Sequence, residues 1–103
     1  NVALRFLKDG ESVISGVGFE LYQNQPNPFI NKTMIGFHLP EAGEAILRVF
    51  DETGQVLHKE RGDFAKGYNT FLIDRSSLPG NGVYFYQVES VDAFATRKMI
   101  QTN

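Results

Sequence analysis

The sequence predicts an all-β domain, an antiparallel immunoglobulin-like β-sandwich of about seven strands. Three observations lead there. Short runs of alternating apolar and polar residues recur at intervals of roughly 8–12 residues, with turn-forming residues between them. No window of about 11 residues keeps a helical apolar stripe clear of glycine or turn clusters. Nine Phe and four Tyr, with no Trp and no Cys, supply a β-prone core that no disulfide supports. A small open barrel is the competing architecture.

The chain begins with Val2, Leu4 and Phe6 in alternation, which reads as a strand carried over from an upstream domain. Lys8-Asp9-Gly10-Glu11 then signals a turn, and the glycine-dotted stretch from Ser12 to Gly18 reads as a linker. The Asp9-Gly10 pair also suits a second arrangement, a hairpin joining Leu4–Phe6 to Val13–Val17. Residues 1–18 are expected to precede a domain formed by residues 19–103. Next comes Leu21-Tyr22-Gln23-Asn24-Gln25-Pro26-Asn27-Pro28-Phe29. Each proline fixes φ, donates no amide hydrogen and pushes Gln25 or Asn27 out of the helical region, so an extended clip lying outside any ladder is expected. Asn24 and Asn27 favour local turn bonds, and Phe29 offers the clip an apolar anchor.

Beyond the clip, Thr33, Ile35, Phe37 and Leu39 share one face of a strand that Pro40 stops. After the turn Glu41-Ala42-Gly43-Glu44, the run from Ala45 to Asp51 turns Ala45, Leu47 and Val49 one way and Ile46, Arg48 and Phe50 the other. Asp51-Glu52-Thr53-Gly54 fits a type I turn followed by Gly54 at positive φ, leading to a return strand Gln55–Glu60. Arg61 to Gly67 reads as a polar loop, and Tyr68 to Asp74 as a strand with Phe71 and Ile73 on one side. Leu78 dips toward the core from the cluster Arg75 to Gly82. Val83 to Glu89 is the most β-prone run, with Tyr84, Tyr86 and Val88 on one face, and Ala95 to Gln101 closes the domain.

A chain of 103 residues has room for one small core. A composition of 42% hydrophobic and 21% charged residues is that of a globular protein. The net charge of −2, with basic residues scattered along the chain, gives no footprint for nucleic acid or an anionic membrane. No stretch approaches the ~20 apolar residues of a membrane span, and no signal peptide opens the sequence.

His38 and His58 stand alone in strand patterns, without ligand spacing. The Asp51–Gly54 turn lacks the alternating ladder of an EF-hand. Gly80-Asn81-Gly82 leads into a strand, not into the helix N-terminus that cradles phosphate. Asp74, Ser76 and Ser77 lack a nucleophile elbow. No catalytic, cofactor or metal site is expected, and the chain does not read as an enzyme.

Several phrases together resemble a known family. Phe19-Glu20-Leu21-Tyr22-Gln23-Asn24-Gln25-Pro26-Asn27-Pro28-Phe29 is similar to the opening of the type A carboxy-terminal sorting domains of the Bacteroidetes type IX secretion system. The likeness continues through Leu39-Pro40-Glu41-Ala42-Gly43, then Leu47 to Val56 around Gly54, Lys66-Gly67-Tyr68-Asn69, Leu78 to Tyr86, and Arg97-Lys98-Met99-Ile100. It covers residues 19 to 101, and its specificity lies in the order of the phrases. Asn81 is an extra residue against the family pattern, and the ending Gln101-Thr102-Asn103 departs from it.

The resemblance implies a non-catalytic address without a cofactor, joined covalently to an N-terminal cargo domain. A type IX outer-membrane translocon would read it and a sortase-like peptidase would cut it off, the cargo passing through periplasm and outer membrane to be secreted or held at the cell surface. On this reading Gly82, Val83, Tyr84, Lys98, Met99 and Ile100 form the recognition surface, with the last strand exposed for edge pairing. Pro26, Asn27, Pro28 and Phe29 cap the sandwich, Gly54 serves the hairpin turn, and the cut falls in the linker before Phe19. The same residues also fit plain structural duties: Gly82 a positive φ, Tyr84 a core position, Lys98 a solvated charge. A structural or adhesive spacer and a carbohydrate-binding module are the alternative functions.

Overall fold

The computed structural model describes residues 18–103 and, ahead of them, the backbone of two strands. Those two are β1 (Ala3–Phe6) and β2 (Ser12–Ser15). The remainder holds seven strands: β3 (Glu20–Leu21), β4 (Lys32–Leu39), β5 (Gly43–Phe50), β6 (Val56–Phe64), β7 (Gly67–Asp74), β8 (Gly82–Glu89) and β9 (Phe94–Gln101). A 3-10 turn, Arg75–Ser77, links β7 to β8, with the Asp74 carboxylate accepting from the Ser76 N–H at 2.9 Å. All pairings between the strands are antiparallel, in a six-stranded sheet ordered β1-β2-β9-β8-β5-β6 and a three-stranded sheet ordered β3-β4-β7. The all-β sandwich expected from the sequence is therefore the fold.

Alternation decides which side of each strand faces the opposite sheet. Thr33, Ile35, Phe37 and Leu39 of β4, Ala45, Leu47 and Val49 of β5, and Tyr84, Tyr86 and Val88 of β8 are all buried. Phe71 and Ile73 complete the inner face of β7, and Leu78 reaches the core from the loop after it. Each large side chain taken fully out of water contributes about 1.5–3 kcal/mol. Phe37 stacks on Phe71 with ring centroids 5.1 Å apart, and Phe64 meets both edge-on at the same 5.1 Å. Off-centre and edge-on geometries are those the ring quadrupoles favour.

Phe64 belongs to a stretch expected to be loop. Instead of ending at Glu60, β6 runs on to Phe64, its partners on β5 continuing through Ile46↔Arg61, Ala45↔Gly62, Glu44↔Asp63 and Gly43↔Phe64. The backbone ladder and the ring cluster together outweigh the low strand propensity of Gly62 and Asp63. The hairpin turn before it is as expected. The Gly54 N–H donates to the Asp51 carbonyl at 3.0 Å, and Gly54 sits at φ +90, a conformation that costs glycine little.

Of the two readings of the leading segment, the pairing is that of a hairpin, Ala3↔Ser15 through Phe6↔Ser12, whose intervening residues lie outside the described ones. β2 also pairs with the start of β9, Ser12↔Thr96 through Ile14↔Phe94. The last strand is consequently interior to its sheet.

Candidate recognition surface

The residues singled out near the C-terminus meet on one pair of strands. β8 and β9 run in register from Gly82↔Gln101 to Glu89↔Phe94, so Val83 lies opposite Ile100, Tyr84 opposite Met99 and Phe85 opposite Lys98. Successive side chains turn to opposite faces, and this splits the set in two. Tyr84 and Met99 point into the core at 4% and 0% exposure, and the Tyr84 hydroxyl donates to the Gly80 carbonyl at 2.6 Å. Val83, Lys98 and Ile100 stand half-buried on the outer face with Phe85, and the register sets Phe50 of β5 beside Phe85. The outer face is thus an apolar stripe carrying one cation. At its far end it turns charged, with Arg48 paired to Glu89 at 2.7 Å. Gly82 begins β8 at φ +150, which side-chain-bearing residues rarely adopt.

The other edge of β9 is closed, contrary to the expectation of an exposed last strand. β2 covers it as far as Thr96, and the clip covers the rest. Arg97 Nε donates to the Leu21 carbonyl at 2.8 Å, and Gln23 Nε2 donates to the Lys98 carbonyl at 2.7 Å. The Ile100 N–H donates to Asn27 Oδ1 at 2.9 Å. The Phe29 N–H donates to the Ile100 carbonyl and the Thr102 N–H to the Phe29 carbonyl, both at 2.9 Å. The clip also joins β4, where Gln25 and Met34 exchange bonds at 2.9 and 2.8 Å. The expectation that the clip stays outside every ladder is corrected at both ends. Pro26 and Pro28 donate nothing, but the residues flanking them keep their N–H groups and carbonyls and use them.

Buried polar groups hold the clip to the sandwich. The Tyr86 hydroxyl, on a side chain with 0% exposure, donates to the Tyr22 carbonyl at 2.7 Å and accepts from the Asn24 N–H at 2.9 Å. Asn24 Nδ2 donates to Thr33 Oγ1 at 2.9 Å, and that hydroxyl donates to the Pro26 carbonyl at 2.9 Å. Phe29, at 0% exposure, is the anchor expected of it. Asn27 bonds a strand 73 residues away, not its own neighbours.

Tyr86 and Arg97 did not stand out from the sequence as functional. Both carried a signal. A tyrosine at an inward position must find a partner for its hydroxyl, and an arginine at an inward position of β9 must find one for its guanidinium. Among the described residues no group of three His, Cys, Asp or Glu is placed to hold a metal ion, and no helix is long and apolar enough to cross a membrane. What this arrangement offers chemically is a shaped, braced surface.

A family model described as the secretion system C-terminal sorting domain matches residues 24–102. The chain belongs to that family. The match spans the clip from Asn24, the outer stripe, and β9 to its end. The sorting domain is a C-terminal signal for type IX secretion, attached to a cargo protein and exported across the outer membrane. Such sorting domains are in general non-catalytic. No curated protein matches the chain.

Proposed function

We propose that the type IX machinery reads this domain on the outer face of the β8–β9 pair, through Val83, Lys98 and Ile100. Tyr84 and Met99 hold that face flat from beneath, Gly82 sets its entry, and the clip Pro26-Asn27-Pro28-Phe29 fixes the strand that carries it. The observation that carries this reading is the brace itself: five hydrogen bonds between residues 21–29 and 97–102 order the terminal strand while its outer side chains stay half-exposed. A stripe of apolar side chains around one cation suits docking, in which burial supplies affinity and a single charge supplies orientation.

The translocon and a sortase-like peptidase are the partners on this reading, and the chain itself carries out no chemistry. The address unit starts at Phe19, whose ring is buried with the core, and the β1–β2 hairpin before it, although it pairs with β9, stays with the cargo. The peptidase cut falls in the glycine-dotted linker before Phe19.

Export of a periplasm-directed reporter fused to the 103-residue chain, in a type IX-competent bacterium, tests the reading. The unmodified fusion is expected outside the outer membrane. Lys98→Glu with Ile100→Glu is expected to hold it in the periplasm while circular dichroism and the thermal midpoint show a folded domain. Export of the double variant at the unmodified level would remove the outer stripe from the address.

A further inference from the structure

The sheets end on β1 and β6 and on β3 and β7, and an open strand edge invites pairing with another chain unless something blunts it. β3 is only two residues long, and β6 carries Lys59, Glu60, Arg61 and Asp63 along its edge. β7 is different. Its eight residues pair with β4 without a register shift, and its only charge is Asp74 at the end. Its outward side chains include Tyr68 at 65% exposure and Leu72 at 53%. The strand has neither lysine, nor proline, nor bulge.

The outward positions of β7 read Tyr68, Thr70, Leu72, Asp74, and Lys66 stands just ahead of the strand in the turn from β6. This order is self-complementary when it is laid antiparallel on itself. We propose that β7 pairs with β7 of a second copy of this chain across a two-fold axis through Thr70. In that register Thr70 faces Thr70, each Tyr68 position lies opposite the other copy's Leu72, and each Asp74 comes to the turn that carries the other copy's Lys66. Threonine pairs, aromatic–aliphatic pairs and opposite charges are the cross-strand neighbours that stabilise antiparallel ladders. A slip of two residues breaks the Thr70 pair and the Tyr68–Leu72 pairs and moves Asp74 away from the Lys66 turn. A slip of one turns each outward side chain against an inward one. The contact is isologous and closes on itself, giving a dimer and not a filament. It joins the two three-stranded sheets into one and satisfies the backbone groups of both edges. The inference goes beyond the sorting reading and does not depend on it.

The chain contains no cysteine, which makes a cross-link test clean. With Thr70→Cys, the two-fold brings the two thiols directly opposite each other, within the span of a disulfide. Mild oxidation is expected to cross-link Thr70→Cys at least about tenfold faster than Leu72→Cys, which the register offsets, or Thr53→Cys in the exposed β5–β6 turn. Sedimentation equilibrium of the unmodified 103-residue chain is expected to show a concentration-dependent dimer. Leu72→Lys and Lys66→Glu, both at exposed positions, are each expected to raise its dissociation constant about tenfold or more. Equal cross-linking of the three cysteine variants, a chain that stays monomeric up to about 1 mM, or a dimer indifferent to Leu72→Lys would each overturn the proposal.

Discussion

Tyr86 shows how one side chain ties distant parts of this domain together. Its ring is wholly buried on β8, yet its hydroxyl serves two backbone groups of the segment leading into the clip, at 2.7 and 2.9 Å. Tyr86→Phe keeps the ring and strands both groups without a partner. An unsatisfied buried donor or acceptor costs about 1–3 kcal/mol. Urea unfolding is expected to show a lower midpoint with an unchanged slope, since the surface exposed on unfolding stays the same. A variant as stable as the parent would mean that water replaces the hydroxyl. The inward place of Tyr86 was legible from alternation with Tyr84 and Val88. Its partners were not, because they lie 62 and 64 residues away in the chain.

The clip is the element on which the terminal strand depends. Phe29 fills a site with 0% exposure while its backbone bonds both Ile100 and Thr102. Phe29→Ala removes a buried ring and leaves a cavity, a change that costs about 3–5 kcal/mol. Amide exchange at Ile100 and Thr102 is expected to rise more than exchange in β4 or β5, because the anchor that seats their partner is gone. Uniform loss of protection would make Phe29 an ordinary core residue. The strand faces, the hairpin at Gly54 and the family phrases were all readable, since each depends on residues near in sequence. Edge or interior position was not. Whether β9 has a free side depends on where residues 12–14 and 21–29 come to rest, and β6 grew past its expected end only because β5 continued beside it.

For the whole molecule, two turn carboxylates make stability sensitive to acid. Hydrogen bonds from the Thr53 hydroxyl and then the Gln55 N–H hold Asp51 below its ordinary value of 3.8. The Ser76 N–H and hydroxyl do the same for Asp74, with smaller help from Lys32 and Arg75. A carboxyl whose folded value is depressed contributes stability that is fully present above the unfolded value and is lost as pH falls through the folded one. Unfolding midpoints are expected to drop as pH falls below the ordinary carboxylate value of 3.8. The Asp51→Ala, Asp74→Ala double variant should start lower at neutral pH and lose less over that range. Parallel pH profiles would show that other carboxylates govern the acid limb.

The stitching of residues 21–29 to residues 97–102 also makes the fold a check on completeness. A ribosome that stalls or stops anywhere before Ile100 leaves Phe29 and Asn27 with nothing to hold, and no shortened product presents a finished outer stripe. If the machinery docks on that stripe, it takes only cargo whose chain was read through residues 97–102, and shorter polypeptides stay behind in the periplasm without any separate inspector.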